Sequence, residues 1–156
     1  TPGHISNHLC FALQEEDTLF TGDHVMGWST TVVPAPDGDL NHYLANLRRL
    51  LERPEAIYRP THGPAITNPV SYVSSLIKHR EHRERQIIDA LANGPRNIES
   101  IVADLYADVD KKLHKAAAAV VYAHLLALSR SGRAVTDGTT GDSADDSAWK
   151  ADWSLV

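Results

Sequence analysis

Residues 18–27 read Thr-Leu-Phe-Thr-Gly-Asp-His-Val-Met-Gly, and this stretch decides how the first half of the chain folds. Its apolar start predicts a short strand that ends at Gly22 and Asp23. The apolar residues 9–13 predict a buried strand before it, so the two strands are expected to form a hairpin. Asp23 then follows the strand directly, and at a strand end its carboxylate can point into an open cleft rather than into the core.

Two helices with a short strand between them are predicted next. Apolar residues at helical spacing place the first helix at about residues 40–52, capped by Asp39, and the second at about residues 70–92. The strand at residues 57–58 leads into the turn Pro-Thr-His-Gly-Pro at residues 60–64. Because strands and helices alternate, this part of the chain is assigned to the α/β class.

Two segments in this region have weaker patterns. Residues 30–33, in a loop with several prolines and glycines, are compatible with a further short strand. The mixed-charge run at residues 78–85 is typical of a solvated face of the second helix.

The composition changes near Pro95, and a second domain is predicted from there. A short helix is expected over residues 97–106 and a longer one, rich in alanine and leucine, over residues 111–131. A strand and a tight turn follow at residues 133–138. Helices followed by a two-stranded wing are the pattern of a winged helix-turn-helix, in which Trp149 and Trp153 are expected to anchor the last strand. The predicted domains are residues 1–85 and 86–156.

Composition excludes several classes of protein. The chain has 156 residues, 42% of them hydrophobic and 22% charged, which is typical of a soluble globular protein. No apolar run approaches the roughly 20 residues of a membrane span, and a cytoplasmic location is expected. The single cysteine, Cys10, excludes an intrachain disulfide and a cysteine-rich metal site. A net charge of −5 argues against a surface dedicated to nucleic acid.

Three short elements carry candidate chemistry. They are Thr-Pro-Gly-His at residues 1–4, Thr-Gly-Asp-His at residues 21–24 and the turn at residues 60–64. Each places a histidine or an aspartate in a glycine-containing turn or at the end of a strand. Neutral imidazole and carboxylate are suitable zinc ligands, and a carboxylate can bridge two metal ions. Each element alone is weak, since a single histidine in a turn is usually an ordinary surface residue.

Taken in order, the motifs resemble the C-terminal half of a metallo-β-lactamase-fold hydrolase. The matching text includes Thr-Pro-Gly-His-x-x-x-His at 1–8, Leu-Phe-Thr-Gly-Asp-His-Val-Met-Gly at 19–27, Pro-Thr-His-Gly-Pro at 60–64 and Leu-Ile-x-His-Arg-x-x-Arg-Glu-x-Gln-Ile at 76–87. The chain is most similar to the group that includes the animal mitochondrial β-lactamase-like endoribonuclease. The resemblance implies half of the α+β sandwich of that fold, followed by a small winged helix-turn-helix domain.

The resemblance also implies roles for three residues. His4 looks like a histidine of the first metal site, Asp23 like the bridging catalytic carboxylate, and His62 like a histidine of the second site, with two zinc ions in the complete protein. The family's His-x-His-x-Asp-His motif is absent from these 156 residues. The chain is therefore expected to be a fragment of a longer protein, and the isolated chain is expected to bind metal poorly and to catalyse little.

Three functions are compatible with these features. The first is metal-dependent hydrolysis of a small ester or thioester by metal-activated water. The second is cleavage of single-stranded RNA, with the winged helix as a clamp. The third is a non-catalytic regulator that binds nucleic acid. Lys111, Lys112 and Lys115 are the candidate phosphate contacts. Ala116 to Ala119 follow them, so base-reading side chains are missing from that turn. A homo-oligomer is compatible with any of the three.

Overall fold

The structure, a computed structural model, describes residues 1–138 and 149–156. The described residues divide into two compact units. The first comprises residues 1–33 and 37–81, and the second comprises residues 34–36 and 82–156. The boundary proposed from the sequence, between residues 85 and 86, remains a prediction.

The first unit contains three strands, one complete helix and the first part of a second helix. The strands are β1 (Phe11–Leu13), β2 (Thr18–Gly22) and β3 (Ile57–Pro60). Helix α1 spans Leu40–Leu50, and helix α2 spans Pro69–Leu91 and continues into the second unit. Asp39 caps α1 by accepting a hydrogen bond from the backbone N–H of His42, as the sequence predicted.

The order of the strands brings two of the turns together. Strand β1 pairs antiparallel with β2 and forms the expected hairpin, whereas β2 pairs parallel with β3. The register joins Thr18 to Ile57 at one end and Gly22 to Pro60 at the other. Because parallel strands end at the same edge of a sheet, the residues that follow β2 and β3 become neighbours. This arrangement confirms the α/β assignment.

The core of the first unit lies between the sheet and the apolar faces of the helices. Tyr43, Leu47, Tyr58 and Val73 are completely buried there. Two expectations fail in this unit. The apolar run at residues 9–13 was expected to be a buried strand, but Leu9 and Phe11 are 61% and 64% exposed. Residues 30–33 form no strand, since two of their carbonyl groups accept hydrogen bonds from side chains instead.

The second unit has the expected helices and wing. After the last part of α2 come α3 (Ile98–Leu105), capped by Asn97, and α4 (His114–Arg130), which one turn of 3-10 helix precedes. Strands β4 (Ala134–Thr136) and β5 (Trp153–Leu155) pair antiparallel. Trp153 is 1% exposed within the core, so its role as an anchor is confirmed. His124 is completely buried as well.

None of the helices in the described ranges combines the length and the hydropathy of a membrane span.

Candidate metal centre

Asp23 is held at the end of β2 from two sides. Gly22 precedes it with a φ of +54°, and a Cβ at this glycine would lie 2.6 Å from Nε2 of His8. That nitrogen accepts a hydrogen bond of 3.1 Å from the backbone N–H of Asp23. The hydroxyl of Thr31 donates to the carbonyl oxygen of Asp23 at 2.6 Å. These contacts fix the backbone and leave the carboxylate to project from the sheet edge.

His62 follows β3, and two glycines set its position. Its carbonyl oxygen accepts a hydrogen bond of 2.8 Å from the backbone N–H of Gly27. Gly63, with a φ of +92°, lies so close to Gly27 that no side chain fits between them. The imidazole ring is parallel to the ring of Trp28, with an interplanar angle of 8° and 6.3 Å between centroids. The loops at residues 24–28 and 61–64 are therefore held together by backbone contacts.

His4 is supported by α1 and by the loop after Thr30. Gly3 packs against the backbone of Tyr43, and the side chain of Asn46 donates to the carbonyl of Pro2 at 2.7 Å. Nδ1 of His4 lies 2.6 Å from the carbonyl oxygen of Val32. A carbonyl only accepts, so Nδ1 carries the proton and the lone pair of the neutral ring is on Nε2.

The structure brings the three predicted metal residues together. Nε2 of His4 lies 3.7 Å from Oδ2 of Asp23, and Nε2 of His62 lies 3.5 Å from Oδ1. Oδ1 is buried and has no hydrogen-bond partner. Both separations are long for hydrogen bonds. They are close to the distance of about 3.4 Å that separates two ligands of a tetrahedral zinc ion, each bonded at about 2.1 Å.

The donor set fits two metal ions only in part. Each oxygen of Asp23 faces a different imidazole, which is the arrangement of a bridging carboxylate with one histidine on each side. Each side then has two protein ligands, whereas a stable zinc site has three or four. Among residues 1–138 and 149–156, no group of three or more His, Cys, Asp or Glu side chains is arranged to hold one ion.

Two further histidines lie beside these residues without joining them. Nε2 of His8 accepts a hydrogen bond from the backbone N–H of Asp23, and burial lowers the pKa of the His8 ring. His24 is completely buried, 4.7 Å from the ring of Tyr43 between centroids. Burial lowers the pKa of His24 to about 3, so the ring is neutral at physiological pH.

Sequence reasoning missed Arg80. The mixed-charge run was interpreted as a solvated face, but Arg80 is only 4% exposed and its guanidinium donates to the carbonyl of Thr31. A signal was present, because Arg80 follows Leu76 and Ile77 by four and three residues. It therefore lies on the buried face of α2.

The candidate nucleic-acid residues are at the surface of the second unit. Lys111 and Lys112 are exposed in the 3-10 turn before α4, and Lys115 is exposed in the first turn of α4. The carboxylate of Asp110 accepts a hydrogen bond from the backbone N–H of Lys112. An acid is thus part of the same turn.

Comparisons with known proteins agree with this architecture. A family model described as the beta-lactamase associated winged helix domain matches residues 98–149. A metallo-beta-lactamase family protein from Thermus thermophilus superposes with a TM-score of 0.78 at 22% identity, covering 100% of this chain and 48% of that one. A beta-lactamase domain protein from Burkholderia ambifaria gives a TM-score of 0.80 at 21% identity, covering 99% and 46%. The chain is a metallo-β-lactamase-fold protein with a winged-helix domain.

Proteins that are related in sequence to this metallo-β-lactamase-fold chain are longer than the chain itself. The beta-lactamase-like protein 2 homolog of Drosophila melanogaster is 34% identical over 137 residues, which are 85% of this chain and 45% of that protein. The atrochrysone carboxyl ACP thioesterase of Aspergillus fumigatus is 41% identical over 101 residues, 65% of this chain and 31% of that protein. The chain thus spans less than half the length of these relatives.

Proposed function

We propose that the chain is part of a metal-dependent hydrolase that acts on a small ester or thioester with two zinc ions. The observation that carries the proposal is the position of the Asp23 carboxylate between two imidazoles, with each Nε2 opposite a different oxygen. A buried carboxylate oxygen without a hydrogen-bond partner is costly, and a bound cation removes that cost.

In this proposal His4 would hold one ion, His62 would hold the other, and Asp23 would be a ligand of both. When bound, the ions would supply a water whose pKa is near neutral and would stabilise negative charge on the attacked group. The chain's own residues fix where that chemistry takes place. The Val32 carbonyl orients the His4 ring, and the Gly27–Gly63 contact orients His62. The side chain of His62 is 51% exposed and that of Asp23 is 34% exposed, so substrate can reach this edge.

A small substrate is favoured over a polyanion for this edge. Residues 1–81 contain nine Asp and Glu against six Lys and Arg. Arg48 and Arg53 are paired with Glu81 and Glu55, and Arg80 is buried. A negative balance repels a phosphate backbone. The Aspergillus relative is named a thioesterase, which supports a thioester as the electrophile here.

A second candidate function is cleavage of single-stranded RNA. The exposed lysines 111, 112 and 115 favour it, since they can contact phosphates. Asp108 and Asp110 directly precede these lysines and weaken their field. We therefore rank this candidate below thioester hydrolysis. A non-catalytic nucleic-acid-binding regulator ranks lower still, because it leaves the arrangement around Asp23 without a use.

For the hydrolase we also propose a cytoplasmic location.

The test compares two substrates on the full native polypeptide. Zinc content is measured first, and then the hydrolysis of an acyl-thioester and of single-stranded RNA is followed before and after chelation. We expect thioester hydrolysis that chelation abolishes and added zinc restores, with RNA left intact. A zinc-free protein that cleaves neither substrate would refute the proposal, and metal-dependent cleavage of RNA alone would establish the second candidate.

A further inference from the structure

We propose that Arg80 is a positioning residue, which holds the loop at Thr31 and Val32 and thereby sets the orientation of both His4 and Asp23. The inference rests on the proposed function, because it treats His4 and Asp23 as metal ligands. It concerns a residue on α2 that is not one of the proposed metal ligands.

The burial of Arg80 requires an explanation of its own. A guanidinium is rarely buried unless its charge is compensated, since burial without hydrogen bonds is costly. Here it donates to the carbonyl oxygen of Thr31, and its Cζ lies 5.6 Å from the centroid of the Tyr43 ring. Tyr43 is completely buried and belongs to α1. Arg80 therefore links α2 to the loop across a rigid aromatic support.

The loop that Arg80 holds has two functional contacts in succession. The hydroxyl of Thr31 donates to the carbonyl oxygen of Asp23 at 2.6 Å. The carbonyl of the next residue, Val32, accepts from Nδ1 of His4 at 2.6 Å. Residues 30–33 belong to no strand, so no ladder of backbone hydrogen bonds holds them in place. The guanidinium of Arg80, on the long helix α2, supplies the constraint that the hydrogen bonds of a sheet would otherwise give.

The consequence for His4 is chemical as well as geometric. The Val32 carbonyl keeps the proton on Nδ1 and leaves the Nε2 lone pair facing Asp23. Partners of this kind fix the tautomer of a ligating histidine, and their loss typically weakens metal binding by about 10–100-fold. If Arg80 no longer restrains the loop, the carbonyl moves and the restriction on the tautomer is relaxed.

The experiment reads the tautomer without metal and then the affinity with metal. The full native polypeptide is labelled with ¹⁵N-histidine, and the ring nitrogens of His4 are assigned by NMR in the zinc-free state. Zinc affinity is then measured by competition with a chelator. Arg80→Met is the test variant. Lys78→Met, which removes an exposed cation from the same helix, is its matched control.

We expect the wild type and Lys78→Met to show the Nδ1–H tautomer alone and equal zinc affinity. Arg80→Met should show both tautomers and about 10-fold weaker zinc binding. A folded Arg80→Met protein with a single tautomer and wild-type affinity would overturn the inference, because a purely structural arginine would change only the thermal stability.

A graded variant keeps the test decisive if Arg80→Met fails to fold. Arg80→Lys retains a buried cation without the planar fork of donors, so a mixed tautomer and zinc binding weaker than that of the wild type are expected. An unchanged tautomer in Arg80→Lys would overturn the inference. A wild type that binds no zinc, while its His4 tautomer still depends on Arg80, would refute the proposed function and leave the role of Arg80 in orienting His4 intact.

Discussion

Gly27 and Gly63 lie in backbone contact, so that a Cβ added to Gly63 would come within 2.8 Å of the carbonyl carbon of Gly27. The contact joins the loop that follows β2 to the loop that follows β3. His62 and Asp23 belong to these loops, so the approach of the two glycines sets the distance between a proposed ligand and the proposed bridge.

Gly63→Ala should therefore destabilise the protein and weaken the metal site together. The left-handed φ of +92° costs a side chain about 1–3 kcal/mol, and the clash with Gly27 adds to it. Gly132→Ala is the control, because its φ of +71° is also left-handed while nothing lies within 4 Å of the added Cβ. Urea unfolding should show the larger loss for Gly63→Ala. Equal losses would mean that the contact between the loops adds nothing.

Asp23→Asn tests the proposed bridge directly. A neutral amide bridges two cations poorly, so zinc content and hydrolysis should fall together by more than about 100-fold, the upper end for loss of an outer-shell partner. The fold should persist, since the contacts of Asp23 with His8 and Thr31 use its backbone. Metal analysis and initial rates on the full native polypeptide measure both effects. Asp17→Asn, at an exposed turn with a φ of 49°, is the control. Full zinc occupancy and full turnover in Asp23→Asn would contradict the dinuclear arrangement.

His24→Ala should act on stability rather than on metal binding. The ring is completely buried against Tyr43, and its nitrogens make no hydrogen bonds. Its loss leaves a cavity, which costs about 2–4 kcal/mol by analogy with other large-to-alanine changes in cores. His42→Ala, at a side chain that is 69% exposed, should cost much less in the same urea titration. Similar values for the two variants would contradict the packing role.

The elements of the fold could be predicted from local patterns, and the contacts that support the site could not. Apolar periodicity and the cap Asp39 predict α1 within a few residues, and the short helix expected over residues 97–106 corresponds to α3. Residues 30–33, Thr-Thr-Val-Val, favour a strand by propensity. Tertiary contacts from His4 and Arg80 take their carbonyl groups instead, and no local pattern contains that information.

The local positions of the candidate site residues could be predicted in the same way, but their approach to one another could not. Asp23 and His62 each follow a strand, so a parallel β2–β3 pair places them at one edge. Their mutual approach depends on that pairing, which the sequence does not specify. The apolar residues Leu9 and Phe11 show a further limit, because an apolar run indicates that burial is favourable without indicating which surface covers it.

Lys111, Lys112 and Lys115 should give weak RNA binding at most. Three phosphate contacts on a single strand correspond to a log–log slope of affinity against salt of about −2. Changing all three to Ala should abolish that slope and leave thioester hydrolysis unchanged. Fluorescence anisotropy with labelled single-stranded RNA measures it, and Lys78→Ala, an exposed lysine of the first unit, is the control. A much steeper slope that is lost in the triple variant, together with lost RNA cleavage, would favour the endoribonuclease.

Glu55 should make stability depend on pH in the acid range. Arg53 donates to it at 2.9 Å, and this hydrogen bond holds the pKa of the Glu55 carboxyl below its ordinary value of 4.5. Because the folded pKa is the lower one, the ion pair contributes fully above about pH 4.5. That contribution is lost as the pH falls through the folded pKa. Burial raises the pKa of the neighbouring Tyr58 to about 12, so it does not titrate there.

The variant Glu55→Gln isolates this contribution. At pH 7 its free energy of unfolding should be lower than that of the wild type by about 1.5–3 kcal/mol, the range for hydrogen bonds to a charged group. At pH 3 the difference should be much smaller, because the wild-type carboxyl is then losing its charge. Urea titrations at several pH values measure the difference, with the exposed Glu52→Gln as the control. A difference that stays constant between pH 7 and pH 3 would show that the Glu55 charge adds nothing, and the stabilisation would then come from packing alone.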